Sequence, residues 1–201
     1  MAGEVSSGIY YGHGSIDTVN APNSFTSSIY LKSSNGVLMF DEAWPYLEEL
    51  NAEVIIQNGQ VWVDSKQASI ANTTLDNVKA YLPEGEESKA NFIDISASSS
   101  ITKELISYWL SESPISSNTK EIAEQLEVNN SVKVDIDLKV PVSKSNGESE
   151  LPDVAYSIVT TIDDGAITHT HSKLSFEHVD GVVTVDSKAG VTAEDIQAEL
   201  F

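Results

Sequence analysis

The sequence predicts an α+β fold that is dominated by strands, with antiparallel sheets, a C-terminal β-meander and several short helices. Between Val132 and Val142, six apolar residues alternate with polar ones, which is the period of a strand that packs on one face. Asn58-Gly59 separates two β-rich runs and predicts a hairpin, because both residues tolerate a positive φ. Threonine and asparagine caps ahead of apolar residues spaced three or four apart predict the helices.

Residues 1–40 predict an extended, loop-rich N-terminal arm with short strands. Glycines and serines separate its short apolar groups, and Asn35-Gly36 predicts a hairpin turn. An arm of this kind becomes ordered against a neighbouring protein. We therefore expect Ile9, Tyr10 and Tyr11 to make assembly contacts.

Residues 41–128 predict a mixed α/β part. Helices are expected at residues 44–51, 74–82, 100–110 and 118–127, and strands at residues 53–57, 60–63 and 92–95. In the first helix Trp44, Leu47 and Leu50 would lie on one side. Thr73 or Thr74 would begin the second helix, and Pro83 would end it.

Residues 129–201 predict an antiparallel β-meander with a closing helix, forming one domain with residues 41–128. The strands are expected at residues 132–142, 154–162, 166–178 and 182–185. Asp163-Asp164-Gly165 and Val179-Asp180-Gly181 would form the turns between them. Thr192 would begin the closing helix, which carries Ile196, Leu200 and Phe201.

The charge balance excludes whole classes of partner. The 201-residue chain has 31 acidic and 11 basic residues, and its formal net charge is −20. All the basic residues are lysine, whereas nucleic acids and anionic membrane surfaces require a basic surface. We expect neither nucleic-acid nor membrane binding. Three interpretations of the acidity remain: a solvated surface, adaptation to high salt, and a conduit wall that repels DNA.

The composition also limits the chemistry. The chain has no cysteine, so disulfides, thiolate metal sites and cysteine nucleophiles are excluded. The N-terminus lacks the basic and apolar regions of a signal peptide, and no apolar run approaches the roughly 18 residues of a membrane span. These features predict a protein made in the cytosol.

No catalytic or cofactor motif is recognisable. The chain has no G-x-S-x-G elbow, dinucleotide fingerprint or Walker-type phosphate loop. We therefore expect no enzyme activity and no cofactor. His169 and His171 would face the same side of a strand and are candidate ligands for one metal ion, against the alternative of two solvent-facing side chains.

The aromatic residues allow two interpretations. Their periodic positions favour core packing, and the alternative is a platform on which sugars stack. The residues concerned are Tyr10, Tyr11, Tyr30, Trp44, Tyr46, Trp62, Tyr108, Trp109 and Tyr156.

In general texture the whole chain resembles bacteriophage virion structural proteins of the capsid-decoration or tail-tube type. The resemblance lies in the glycine-punctuated first 40 residues, the one-sided strands, the absence of cysteine and the absence of a catalytic constellation. It implies a non-enzymatic subunit of a symmetric assembly that binds copies of itself or other virion proteins. It also implies a virion location after synthesis in the host cytoplasm. The alternative function is a carbohydrate-binding or adhesin-like β module.

Overall fold

The computed structural model describes residues 2–15, 25–39, 44–70, 73–85, 90–101, 125–129, 132–142 and 151–200. Within these ranges the chain forms twelve β-strands and no helix. The predicted α+β class is therefore wrong, because the described chain is all-β.

All twelve strands belong to one sheet. Their bounds are β1 (Ala2–His13), β2 (Thr26–Leu38), β3 (Leu47–Leu50), β4 (Ala52–Gln57), β5 (Gln60–Ile70), β6 (Thr73–Leu82), β7 (Phe92–Ile101), β8 (Leu126–Asn129), β9 (Val132–Pro141), β10 (Ala155–His169), β11 (Leu174–Asp186) and β12 (Gly190–Leu200).

The sheet is an antiparallel meander in which most strands pair with the strand before or after them in the chain, while β7 pairs with β9. β3 and β4 follow one another beside β2 and β5, and β8 and β9 follow one another beside β10. Where the connection is short, as between β4 and β5 or between β11 and β12, it favours antiparallel pairing of the two strands. The order places β1 and β12 at the two ends of the sheet.

The hydrophobic core lies on one face of the sheet. In β9 the residues alternate between buried and exposed from Val132 to Val140, as the sequence predicts, and Pro141 at its end is also buried. Residues that pair across neighbouring strands are buried on this same face, for example Ala80, its partner Ile95 and the next partner Leu138. Trp44, which precedes β3, packs edge-to-face on Tyr156 of β10 with ring centroids 6.1 Å apart. The segment before β3 therefore reaches over the apolar face to a distant strand.

Bulges curve the strands. Six non-glycine residues inside the described strands have φ between 50° and 54°, and register shifts accompany several of them. A residue in this conformation bends a strand and increases its twist. The six are Asn35, Glu49, Asn77, Asp164, His178 and Asp195.

These bulges explain the wrong helix predictions. In β3, Leu47 and Leu50 are both buried because the bulge at Glu49 adds one residue between two core positions. In β6, Leu75 and Val78 flank another bulge in the same way. A strand with a bulge thus shows the three-residue spacing that otherwise indicates a helix.

The closing helix is also wrong, because β12 occupies its residues and contains a bulge at Asp195. Residues 102–124 lie outside the described residues, and they cover most of the predicted helices 100–110 and 118–127, including Tyr108 and Trp109. Phe201 also lies outside the described residues. The predicted helix 118–127 ends in strand β8, which covers Leu126–Asn129.

Three predicted turns lie inside strands. Asn35-Gly36 is part of β2, Asp163-Asp164-Gly165 is part of β10, and Val179-Asp180-Gly181 is part of β11. Residues that tolerate positive φ serve bulges as well as they serve turns. The β10–β11 turn instead covers residues 170–173.

The Asn58-Gly59 hairpin is confirmed. Asn58 and Gly59 connect β4 to β5 with φ of 49° and 80°. Residues 1–40 contain β1 and β2, which pair along most of their length. The division of the chain at residues 40 and 129 stays a prediction.

A candidate binding groove on the exposed face

Two rows of side chains cross the exposed face of the sheet at right angles to the strands. The register places one partner from each strand in line with the next. The first row is aromatic and aliphatic and consists of Ile9, Tyr30, Ile55, Trp62 and Tyr81. The charged row consists of Lys32, Glu53, Asp64, Lys79, Ser96 and Asp137.

A groove with a volume of about 660 Å³ lies along these rows, from β5 to the β11–β12 turn. We call it the cross-strand groove. It is lined by Trp62, Val63, Asp64, Lys79, Ala80, Tyr81, Asp94, Ile95, Ser96, Asp137, Leu138, Lys139, Ala155, Tyr156, Ser157, Asp186, Ser187 and Lys188.

Side-chain alternation shows which face carries the groove. In three of its strands the central lining residues, Ala80, Ile95 and Leu138, are buried in the core on the opposite face. Of the residues on either side of them, Lys79, Asp94, Asp137 and Lys139 are exposed, and Tyr81 and Ser96 are half-buried. Successive residues of a strand point to opposite faces, so the exposed neighbours line the groove while the buried residues contribute backbone.

Two aromatic rings stand at the β5 end of the groove. Trp62 and Tyr81 are direct cross-strand partners, with ring centroids 5.5 Å apart and planes inclined by 31°. Both are half-buried. Cross-strand aromatic pairs stabilise a sheet, and the same rings present an apolar surface to a ligand.

The charges in the groove are nearly balanced. Three lysines and four aspartates line it, whereas the whole chain carries −20. Lys139 lies 4.0 Å from the Asp94 carboxylate and 5.3 Å from the centre of the Phe92 ring. Asp64 and Lys79 are direct cross-strand partners. The groove is therefore a polar surface of mixed charge with an aromatic end.

The β11–β12 turn forms the other end of the groove. Asp186 Oδ1 accepts hydrogen bonds of 2.8 Å from the backbone N–H groups of Lys188 and Ala189. These two bonds stabilise the carboxylate and lower the pKa of Asp186. The Ser187 N–H donates to the Tyr156 carbonyl at 2.9 Å, which ties the turn to β10.

Beyond the groove, the charged row continues to an exposed ion pair. Lys32 Nζ lies 2.9 Å from Glu53 Oε1 and 5.8 Å from the centre of the Tyr30 ring. The hydrogen bond to Glu53 raises the pKa of Lys32, and the same bond lowers the pKa of Glu53. Both side chains are about half exposed, so the pair adds little stability.

The histidine pair predicted as a metal site does not lie on one strand. His169 ends β10 and His171 lies in the turn, with ring centroids 6.3 Å apart. Nδ1 of His169 accepts the backbone N–H of Ser172 at 3.2 Å and lies 2.8 Å from its hydroxyl. No group of three potential ligands is found in the described part of the chain. The metal role of these two histidines stays a prediction.

The predicted assembly residues lie on an end strand. Ile9, Tyr10 and Tyr11 belong to β1 and are each more than 60% exposed. Their role in assembly is still a prediction.

The sequence analysis did not predict a histidine–carboxylate cluster that joins β10 and β11. His178 Nδ1 lies 2.7 Å from Asp164 Oδ1, and the backbone N–H of Asp164 donates to Asp180 Oδ1 at 2.9 Å. The hydrogen bond and charge of Asp164 raise the pKa of His178. No local sequence signal identifies this cluster, because it depends on the alignment of bulges in two strands.

The cross-strand groove was likewise not predicted. The alternating lysines and aspartates of residues 133–139 were visible as a polar face, and Trp62 as an aromatic residue of a hairpin. Their convergence depends on the register of five strands, which alternation does not determine.

No helix long and apolar enough to span a membrane is found within the described ranges. No curated protein and no solved structure matches the chain. The YhdP protein family model matches residues 23–201. The resemblance to phage virion proteins is therefore wrong, since YhdP is a bacterial family and no phage structural family is detected. The match extends over most of the sequence, and the chain belongs to the YhdP protein family.

Proposed function

We propose that the chain is a non-enzymatic structural module that joins other β-structure through an edge strand of its sheet. The observation that carries this proposal is the exposed, almost uncharged strand β1. Edge strands offer unpaired N–H and C=O groups to a further strand, and exposed apolar side chains strengthen such pairing.

The two end strands differ in a way that selects β1. Val5, Ile9, Tyr10 and Tyr11 of β1 are between 62% and 67% exposed, and Glu4 is the one acidic residue of the strand. β12 carries Glu194, Asp195 and Glu199 and also ends the sheet. Charges on an edge discourage pairing, so β12 is protected while β1 is open to a partner.

A second copy of the chain is the partner that we test. Antiparallel pairing of β1 with β1 of another copy would follow a two-fold axis and continue the sheet. The copies carry −20 each, so their repulsion weakens as salt screens it. The acidic surface favours a protein partner over nucleic acid or an anionic membrane.

The exposed titratable groups agree with a structural role. Among the described residues, the four groups with a shifted pKa are Lys32, Glu53, His178 and Asp186; none of them is buried, and each has a neighbouring partner that accounts for its shift. Catalytic groups are more often shifted by burial in a cleft.

Sedimentation velocity at roughly 0.1 mM protein tests the proposal, since an interface with a Kd below about 10 µM would be filled. We expect a dimer that becomes more stable with added salt. Tyr10→Lys combined with Tyr11→Lys should abolish it. Tyr46→Lys combined with Leu151→Lys, which changes exposed apolar residues away from β1, should leave it intact. A wild-type monomer at every salt concentration would contradict association through copies of this chain.

A further inference from the structure

We propose that the cross-strand groove binds an uncharged, extended oligosaccharide. The inference rests on the groove and is independent of the edge strand β1.

The shape of the groove suits a chain-like ligand. It crosses β5, β6, β7, β9 and β10, which are consecutive neighbours in the sheet. Strands lie about 4.8 Å apart, so the five strands give a groove roughly 19 Å long. Its volume of about 660 Å³ lies within the range of small-ligand sites. Several sugar rings placed end to end would meet one strand after another.

The aromatic end supplies the apolar contact. The C–H face of a pyranose ring stacks on an aromatic ring, and Trp62 and Tyr81 are two such rings placed side by side at one end of the groove. Core packing does not account for their position, because Val63 and Ala80, their chain neighbours, take the core-facing places.

The polar lining supplies hydrogen bonds of both kinds. The carboxylates of Asp64 and Asp137 accept from sugar hydroxyls, and the ammonium group of Lys79 donates to them. Ser96, between Lys79 and Asp137 in the charged row, both donates and accepts. A pyranose ring carries donors and acceptors around its rim, which matches this mixed lining.

Charge decides against an ionic ligand. Three lysines and four aspartates leave the groove close to neutral, so it offers neither an anion nor a cation a strong attraction. The rest of the protein would repel a polyanion, because the chain carries −20. A neutral glycan requires no net charge from its site.

Isothermal titration calorimetry with neutral hexasaccharides tests the proposal, using β-1,4-linked glucose and β-1,4-linked N-acetylglucosamine as probes. We expect at least one to bind with a Kd below about 1 mM. The Kd should change less than about twofold between roughly 0.05 M and 0.5 M NaCl, because a neutral ligand displaces no counterions. Absence of binding by both probes would overturn the proposal.

Matched variants locate the site. Trp62→Ala and Tyr81→Ala should each weaken binding about tenfold or more, while Tyr46→Ala, at an exposed aromatic residue outside the lining, should not. Asp137→Ala should weaken binding several-fold, and Asp135→Ala should not. Asp135 is exposed on the same face of β9 but does not line the groove. This second pair of variants leaves the aromatic pair intact, so it tests the site even if Trp62→Ala does not fold.

Binding that survives all three groove substitutions would overturn the assignment. Equal affinity for a neutral decapeptide would also overturn it, because the groove would then recognise an extended chain and not a sugar.

Discussion

Strands β9 and β12 belong to the same sheet and have almost the same length, yet they differ completely in burial. β9 alternates between buried and exposed residues from Val132 to Val140 and ends on the buried Pro141, whereas all eleven residues of β12 are exposed. Nevertheless, β12 pairs with β11 in an antiparallel ladder that extends from Leu200 to Gly190. Backbone pairing therefore extends to the end of the sheet, while side-chain burial is concentrated in the centre.

Burial and pairing contribute to folding in different ways. Burying apolar area supplies most of the free energy, whereas a backbone hydrogen bond exchanged with water supplies little net stability. The central strands should then determine whether the chain folds, and the end strands should remain free to evolve contacts with other molecules. The exposed apolar residues of β1 fit this division.

The largest predicted effect compares one isoleucine from each of the two strands. Ile136 of β9 is 6% exposed and Ile196 of β12 is 47% exposed. Ile136→Ala should lower the free energy of unfolding by about 2–5 kcal/mol, because it leaves a cavity in the core. Ile196→Ala should lower it by about 1 kcal/mol or less. Urea denaturation of both variants measures the difference, and equal losses would show that β12 is as important for folding as β9.

The sequence predicted the strands that alternate without interruption. The apolar residues from Val132 to Val140 keep a period of two, because no bulge interrupts β9 between them. Leu47 and Leu50 do not, since the bulge at Glu49 separates them by three residues. A spacing of three has two physical origins, a helix or a bulged strand, and a local pattern does not separate them.

Local sequence patterns could not predict the groove, for a related reason. Trp62 and Tyr81 become neighbours only when β5 and β6 pair with one particular register. Hairpin turns determine the register of adjacent strands, but bulges shift it, as they do between β6 and β7. The composition of the exposed face was thus predictable, while the identity of the residues that meet on it was not.

A smaller effect is expected from two glycines that border β12. An added Cβ at Gly181 would contact the Ile196 side chain and lie 3.1 Å from the Ile196 Cα and 3.2 Å from the Glu194 carbonyl oxygen, at a φ of 152°. Gly190 has a φ of 79° and open space around it. Gly181→Ala should therefore cost about 1–3 kcal/mol, and Gly190→Ala about 1 kcal/mol from backbone strain alone.

Thermal unfolding of the two alanine variants, followed by circular dichroism, makes this comparison. A larger loss for Gly181→Ala would show that β12 packs closely on β11 at the bulge although its side chains are exposed. The opposite order would mean that β12 yields to accommodate the new methyl group, and that its position in the sheet is loosely determined.

The smallest predicted effect is electrostatic and concerns the bulges that align in β10 and β11. Asp164 is the main cause of the raised pKa of His178, and Glu199 of β12 makes a smaller contribution. A raised folded-state pKa stabilises the protein at a pH below the unfolded value, and this stabilisation is lost as the pH rises through the folded value. Both side chains of the pair are largely exposed, so salt should reduce the shift in the His178 pKa.

NMR titration of the imidazole should give His178 a pKa above 6.5, its ordinary value. Asp164→Asn should lower this pKa more than Glu199→Gln does. If the two variants lowered it equally, the shift would come from the general acidity of the chain and not from the contact between the bulges, and the end of the sheet would have no specific electrostatic link to its neighbours.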